Sequence, residues 1–228
     1  MAGPPIHLLL QGVGFELIYS FVIIMCSLMI YYSTKEMYEL SSDKGIKYFR
    51  QSFLLFAIAY FFKSFIKVLL AYFGTSRILD INLKYMGSIT LFIFMFFGSL
   101  AVFYLVYSLM CKKWNGKSKI ILGVFYLLSV LISFIIINTR EVGVFIGTSL
   151  FILAIAIFGI YITHKQNKDK KKKSKIHLIY TLLFIFWILN IIEVLVNFTY
   201  LYQILISLAS LGVFLAILYK VLKKSGSN

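Results

Sequence analysis

The chain has 228 residues, of which 61% are hydrophobic and only 14% are charged. Soluble domains are about half apolar and about a quarter charged, so this composition excludes an ordinary soluble protein. A net charge of +15 suggests nucleic acid at first, but the basic residues lie in short segments between long apolar runs. That arrangement is typical of membrane proteins, whose basic loops face anionic lipid headgroups. We therefore expect an integral membrane protein without a nucleic-acid partner.

Seven apolar runs are each long enough to cross a bilayer, which takes about 20 residues. A transmembrane β-barrel needs alternating segments of about ten residues instead, whereas these runs are continuous. The sequence therefore predicts an all-α membrane protein, a single seven-transmembrane helix bundle over residues 1–228. The predicted spans are about 7–32, 50–73, 85–110, 119–138, 142–163, 177–199 and 202–221.

The basic residues are distributed unequally between the two sets of loops. Segments 33–50, 111–119 and 164–176, together with the C-terminal tail, carry 18 of the 23 Lys and Arg residues, and the alternate loops carry three. The positive-inside rule then places the N-terminus outside and the C-terminus in the cytoplasm. The expected location is the cell membrane, crossed several times.

In this topology the first three and the last three spans point the same way, which admits a 3+1+3 parallel repeat. SFIKVL at 64–69 aligns with NIIEVL at 190–195, and GSLAVFYL at 98–105 aligns with GVFLAILY at 212–219. Apolar helices also align by composition alone. A repeat and a chance match both stay open.

Ionisable side chains inside the predicted spans indicate a functional site. Lys63 and Lys67 are four residues apart and therefore share one face of span two. A lysine at the centre of a membrane helix costs about 2.5–3.5 kcal/mol, so a compensating group is expected. Glu16 in span one and Glu193 in span six lie at matching depths. We predict that Lys63 lies opposite Glu16 and that Lys67 lies nearer Glu193.

These charges predict a polar pocket in the outer half of the bundle that binds a small polar or anionic ligand or a lipid headgroup. Besides the four charged residues, its predicted lining consists of Asn190, Asn197, Tyr19, Tyr60, Trp187 and Gln203.

Purely structural interpretations of the same residues stay open. Lys67 is close enough to the interface to extend its ammonium group to the headgroups. Lys63 and Glu16 would form an ion pair that fixes helix register. Glu193 and its neighbouring asparagines would form hydrogen bonds between helices.

The stretch KDKKKKSK at 168–175 is the most polar segment of the chain. It predicts either a solvated cytoplasmic loop or a contact with anionic headgroups or with a cytosolic protein partner. The lysines concerned are Lys168, Lys170, Lys171, Lys172, Lys173 and Lys175.

Signatures of catalysis are lacking, since the sequence has no HExxH, no nucleophile elbow and no CxxC. We expect no enzyme activity, no catalytic residue, no metal site and no cofactor.

The two prolines, Pro4 and Pro5, precede the first span, whereas many transporters have broken helices. The preferred function is therefore a receptor- or sensor-like bundle. A small-solute or proton-coupled transporter and a non-catalytic scaffold with basic cytoplasmic loops are the alternatives.

Overall fold

The structure, a computed structural model, describes residues 6–76, 83–111, 114, 118–139, 141–166, 174–195 and 200–225. These residues form seven α-helices, and the described part of the chain contains no β-strand. The expectation of an all-α protein is confirmed. The helices are α1 (Ile6–Ser41), α2 (Lys44–Ser76), α3 (Leu83–Met110), α4 (Ser118–Thr139), α5 (Val142–Gln166), α6 (Ser174–Leu195) and α7 (Tyr200–Ser225).

Six helices, α1 to α5 and α7, contain a stretch long and apolar enough to cross a membrane. In α6 the described apolar stretch, Leu178–Ile192, is shorter. These lengths and compositions fit a multi-pass membrane protein. The seventh crossing, the orientation and the repeat stay predictions.

The distribution of side chains agrees with a bundle in lipid. Large apolar side chains cover the outer surface, and small hydroxyl side chains pack between the helices. In a membrane the outside needs no polar cover, and small residues let helices approach closely. Outward-facing examples are Phe21, Phe134, Phe151, Phe158 and Leu205, and buried examples are Ser20, Ser99, Ser129, Ser133, Ser149 and Ser210.

The largest departure from the predicted spans lies between the first two helices. The sequence predicts spans that end at residue 32 and begin at residue 50, but α1 continues to Ser41 and α2 already begins at Lys44. At 1.5 Å per residue, the 36 residues of α1 extend about 54 Å, well beyond a hydrocarbon core of about 30 Å. Hydropathy marks only the apolar part of each helix, so the predicted span bounds stop short of these polar extensions.

A two-residue turn joins these extensions. Ser42 has a φ of 50°, and its N–H donates to the carbonyl oxygen of Tyr38 at 2.8 Å, which closes the end of α1. Asp43 caps α2, because its Oδ1 accepts a hydrogen bond from the N–H of Gly45 at 2.7 Å. Arg50 then links the two helices by donating from Nε to the carbonyl oxygen of Tyr31 at 3.1 Å.

The helices α1, α2, α3, α5, α6 and α7 form a closed ring in which each packs against the next, and α4 packs against α3 and α5. Within this arrangement α3 is the most enclosed helix, since every residue from 98 to 107 is buried. A helix that is apolar on all sides is expected at such a position.

One face of α2 points into the ring. Phe53 and Phe56 on this face are almost fully buried, and they contact Phe214 of α7 and Phe186 of α6, with ring centroids 6.1 and 6.4 Å apart. Phe186 and Phe214 lie 4.9 Å apart. These four side chains, named here the aromatic layer, fill the middle of the ring. The polar residues of the same α2 face come next along the helix, at three- and four-residue spacing.

Candidate functional site

An ion pair joins α1 and α2 at a point further along α2 than the aromatic layer. Lys63 Nζ lies 3.3 Å from Glu16 Oε1, and the two side chains are 17% and 27% exposed. The predicted pairing of Lys63 with Glu16 is confirmed by this contact. Because both groups keep some exposure, the pair is neither enclosed in the core nor freely solvated.

Aromatic rings support the same ammonium group. Lys63 Nζ lies 5.6 Å from the centre of the Tyr60 ring and 5.2 Å from the centre of the Phe94 ring. A cation within about 6 Å of an aromatic face is stabilised electrostatically. Tyr60 and Phe94 themselves meet edge to face, so the ammonium group of Lys63 lies against aromatic side chains of both α2 and α3.

Tyr60 connects this ion pair to α6. Its hydroxyl donates to Asn190 Oδ1 at 2.9 Å, and Tyr60 is 2% exposed. Asn190 Nδ2 in turn donates to the carbonyl oxygen of Phe186 at 2.8 Å, which orients the amide. Buried polar groups need such partners, so the bond fixes the relative position of α2 and α6.

A second bond connects α1 to α7. The hydroxyl groups of Tyr19 and Ser210 lie 3.0 Å apart, and both residues are buried. The ring of Tyr19 also meets that of Tyr60 edge to face, with centroids 6.0 Å apart. The two bonds therefore belong to one continuous cluster.

We name this cluster the polar network. It joins four helices, and its members share direct contacts beyond the aromatic layer. They are Glu16 and Tyr19 of α1, Tyr60 and Lys63 of α2, Asn190 of α6 and Ser210 of α7.

Several predicted site residues cannot be placed in this network. The side chains of Lys67, Glu193 and Gln203 and the whole of Asn197 lie outside the described residues. The same holds for the side chains of the 168–175 stretch. Their roles stay predictions.

Trp187 lies one helical turn from Asn190, but its surroundings are apolar. It lines a cavity between α2, α3, α5 and α6, and its indole nitrogen is buried without a hydrogen-bond partner among the described residues. The predicted polar lining at this position stays untested, because no described contact joins Trp187 to the network.

Sequence reasoning missed Ser210 and Phe94. Ser210 carries a signal, since it and Ser207 are spaced by three within the apolar stretch 204–219 and therefore share a face. Phe94 carries none, because α3 contains many phenylalanines and nothing in their spacing marks the one that meets Lys63.

The network offers charge recognition and hydrogen bonding. Lys63 supplies a compact positive charge with three donors, and Glu16 supplies an acceptor-only carboxylate. Among the described residues no group of three His, Cys, Asp or Glu side chains is placed to hold a metal ion. The arrangement is suited to binding an anionic or polar group next to aromatic surfaces.

The comparisons with known proteins find a relative that aligns with this chain over nearly its whole length. A protein of Archaeoglobus fulgidus, described as "Uncharacterized protein", is 28% identical over 226 residues, which cover 94% of each chain. A match of this extent includes parts of both terminal helices. The description of this relative does not distinguish a receptor from a transporter or a scaffold. No family model matches the chain, and no solved structure matches it.

Proposed function

We propose that this protein is a receptor- or sensor-like membrane bundle that binds a small anionic or polar molecule at Lys63. The observation that carries the proposal is the partly exposed contact of Lys63 with Glu16, at the edge of a polar network in which Tyr19, Tyr60 and Ser210 are buried. An ionisable group within a span is a functional candidate because it is costly to keep there. An anionic group on the ligand takes the place of the Glu16 carboxylate on Lys63 Nζ.

Such an exchange alters the contacts between helices. Glu16 belongs to α1 and Lys63 to α2, while the bonds of Tyr19 and Tyr60 lead to α7 and α6. A ligand shifts a conformational equilibrium only through different contacts in the two states. Replacing an interhelical ion pair by a ligand contact is a difference of this kind, so binding would change how α1 and α2 sit against α6 and α7.

Transport has less support than reception. The aromatic layer fills the middle of the ring below the polar network, with Phe53, Phe56, Phe186 and Phe214 at most 3% exposed. In the described residues a solute at Lys63 therefore has no polar path onward. A scaffold role rests on the 168–175 lysines alone, whose side chains lie outside the described residues.

The positive-inside rule completes the proposal by orienting the network. With the basic loops in the cytoplasm, Glu16 and Lys63 lie in the outer half of the cell membrane, and the ligand arrives from outside.

Native mass spectrometry of the protein released gently from its own membrane tests this function. We expect a bound small molecule on the wild type and at least a tenfold lower occupancy on Lys63→Met, because the ammonium group is lost. Lys35→Met is the matched control, since Lys35 forms an exposed pair with Glu39 within α1. Its occupancy should equal that of the wild type.

Three results would overturn the proposal. The wild type would carry no bound molecule, or the molecule would stay on Lys63→Met, or Lys35→Met would lose it equally. If the purified protein instead moves a solute across the membrane of proteoliposomes, the transporter is the better description.

A further inference from the structure

An arginine lies where the apolar parts of α1 and α2 both end. The apolar run of α1 stops at Tyr32, and that of α2 begins at Phe53. Arg50 Nε donates to the carbonyl oxygen of Tyr31 at 3.1 Å, so the two boundaries lie side by side at one level. In a bilayer such a boundary falls among the headgroups, where tyrosines are also enriched.

Two tyrosine rings of α1 hold the guanidinium group in place. Arg50 Cζ lies 4.6 Å from the centre of the Tyr31 ring and 5.8 Å from the centre of the Tyr38 ring. Stacking on aromatic faces leaves the N–H groups of an arginine free to donate in its plane. All three side chains are partly exposed, so the guanidinium is positioned and still within reach of a ligand.

Most of the binding capacity of Arg50 is unused. A guanidinium has five N–H donors, and the bond to Tyr31 takes one of them. The described residues accept no other hydrogen bond from Arg50, and none of their carboxylates forms an ion pair with it. A positive charge and four donors therefore remain at the level of the headgroups.

The acidic residues nearest in the chain are engaged elsewhere or face away. Glu39 pairs with Lys35 at 3.7 Å, and the turn residue Asp43 accepts the backbone N–H bond that caps α2. Glu36 is two residues from Tyr38, and helical residues at this spacing do not share a face. The charge of Arg50 is therefore open to an external anion.

We propose that Arg50 binds the phosphate group of an acidic phospholipid in the cytoplasmic leaflet. Its Nη groups donate to two phosphate oxygens, a geometry that favours arginine at phosphates. Lys47 is exposed and three residues earlier on the same face of α2, so it adds a second positive charge.

The surroundings of Arg50 favour an acidic headgroup over a zwitterionic one. Phosphatidylcholine carries the same phosphate but also an ammonium group, which Lys47 would repel and which finds the rings of Tyr31 and Tyr38 already occupied by Arg50. The site is 13 residues from Lys63 along α2, about 20 Å. It does not depend on the function proposed above.

Native mass spectrometry in micelles that contain equal amounts of phosphatidylglycerol and phosphatidylcholine tests this site. We expect the wild type to retain phosphatidylglycerol preferentially and Arg50→Gln to retain at least tenfold less of it. Lys223→Gln is the matched control, because Lys223 is also exposed near a helix end and lies 5.8 Å from the ring of Tyr219. Its retention should equal that of the wild type.

Thermal unfolding in nanodiscs gives a second readout that does not depend on equal stability of the variants. A lipid that binds the folded state raises the unfolding temperature, so the wild type should unfold at a higher temperature in phosphatidylglycerol than in phosphatidylcholine. This difference between lipids should vanish in Arg50→Gln and persist in Lys223→Gln. Arg50→Lys keeps the charge but not the planar pair of donors, so its difference should be smaller than that of the wild type.

The proposal is wrong if the wild type retains both lipids equally, or if Arg50→Gln keeps phosphatidylglycerol at the wild-type level. It is also wrong if Lys223→Gln loses the lipid equally, because the attraction would then belong to the basic surface as a whole. Inorganic phosphate added to phosphatidylcholine nanodiscs separates the two sources of a phosphate group. If it stabilises the wild type as much as phosphatidylglycerol does, Arg50 binds a free phosphate and the lipid is not its ligand.

Discussion

Lys63 lies where the carboxylate of Glu16 and the rings of Tyr60 and Phe94 surround its ammonium group. The carboxylate offsets the charge, and the two rings offer their negative faces to it. Each contribution is modest for a group that keeps some exposure. Together they explain how a membrane helix tolerates a lysine that faces the interior of the bundle.

The hydroxyl of Tyr60 provides a prediction at the same scale. Tyr60→Phe removes the donor to Asn190 Oδ1 and leaves that partly buried acceptor without it. The expected loss of stability is about 1–3 kcal/mol. Thermal unfolding in detergent, followed by circular dichroism, measures the change.

Tyr161→Phe is the matched control for this prediction. Tyr161 is 62% exposed, so the loss of its hydroxyl should leave the free energy of unfolding within about 0.5 kcal/mol of the wild type. Equal effects of the two substitutions would contradict the role given to the bond with Asn190.

Gly45 provides a prediction at the scale of helices, because it sets how closely α2 and α3 approach. A Cβ atom at this position would lie 2.9 Å from the carbonyl oxygen of Ser108, which belongs to the backbone and yields little. Gly45→Ala should therefore destabilise the protein by about 1–3 kcal/mol.

Gly123 on α4 gives the opposite expectation. A Cβ atom there would meet nothing within 4 Å, so Gly123→Ala should be neutral or stabilising by up to about 1 kcal/mol. Chemical unfolding of the two variants side by side measures both effects. A stable Gly45→Ala variant would mean that α2 and α3 pack less closely at this turn.

The sequence indicates which segments are helices and how deep in the membrane their charged residues lie. It says less about which side of each helix faces the core of the bundle. Long apolar runs identify the spans, and matching depths are enough to pair Lys63 with Glu16. By contrast, helices such as α3 are apolar on all sides, so no stripe shows which side faces the core. For that reason Phe94 and Ser210 could not be assigned to the network beforehand.

The turn at Ser42 and Asp43 was missed for a different reason. The segment around it is polar and rich in charge, so hydropathy does not separate helix from loop there. One capping residue, Asp43, and one residue with a positive φ, Ser42, decide the boundary. Such local signals are short and common in ordinary loops, which makes them weak evidence in a sequence.

For the whole molecule, the number of crossings and the orientation lead to one prediction. Lys44, Glu141 and Lys223 are exposed near helix ends, and both native cysteines are buried. In intact cells a membrane-impermeant maleimide should label Glu141→Cys but not Lys44→Cys or Lys223→Cys. The last two should react after the membrane is permeabilised.

This labelling pattern distinguishes seven crossings from six. If α6 did not cross, Lys223→Cys would lie on the same side as Glu141→Cys and both would react in intact cells. The wild type is the control, since its two buried thiols should give little signal in either condition.

The central claim is that Lys63 binds a ligand and does not only hold α1 against α2. Exchanging the two charges tests it, because Glu16→Lys combined with Lys63→Glu restores an ion pair but moves the ammonium group to α1. Native mass spectrometry of this double variant is the decisive measurement. We expect a folded protein that has lost the bound molecule seen on the wild type. A folded double variant that keeps the molecule at the wild-type level would contradict the claim and leave the pair as a purely structural link.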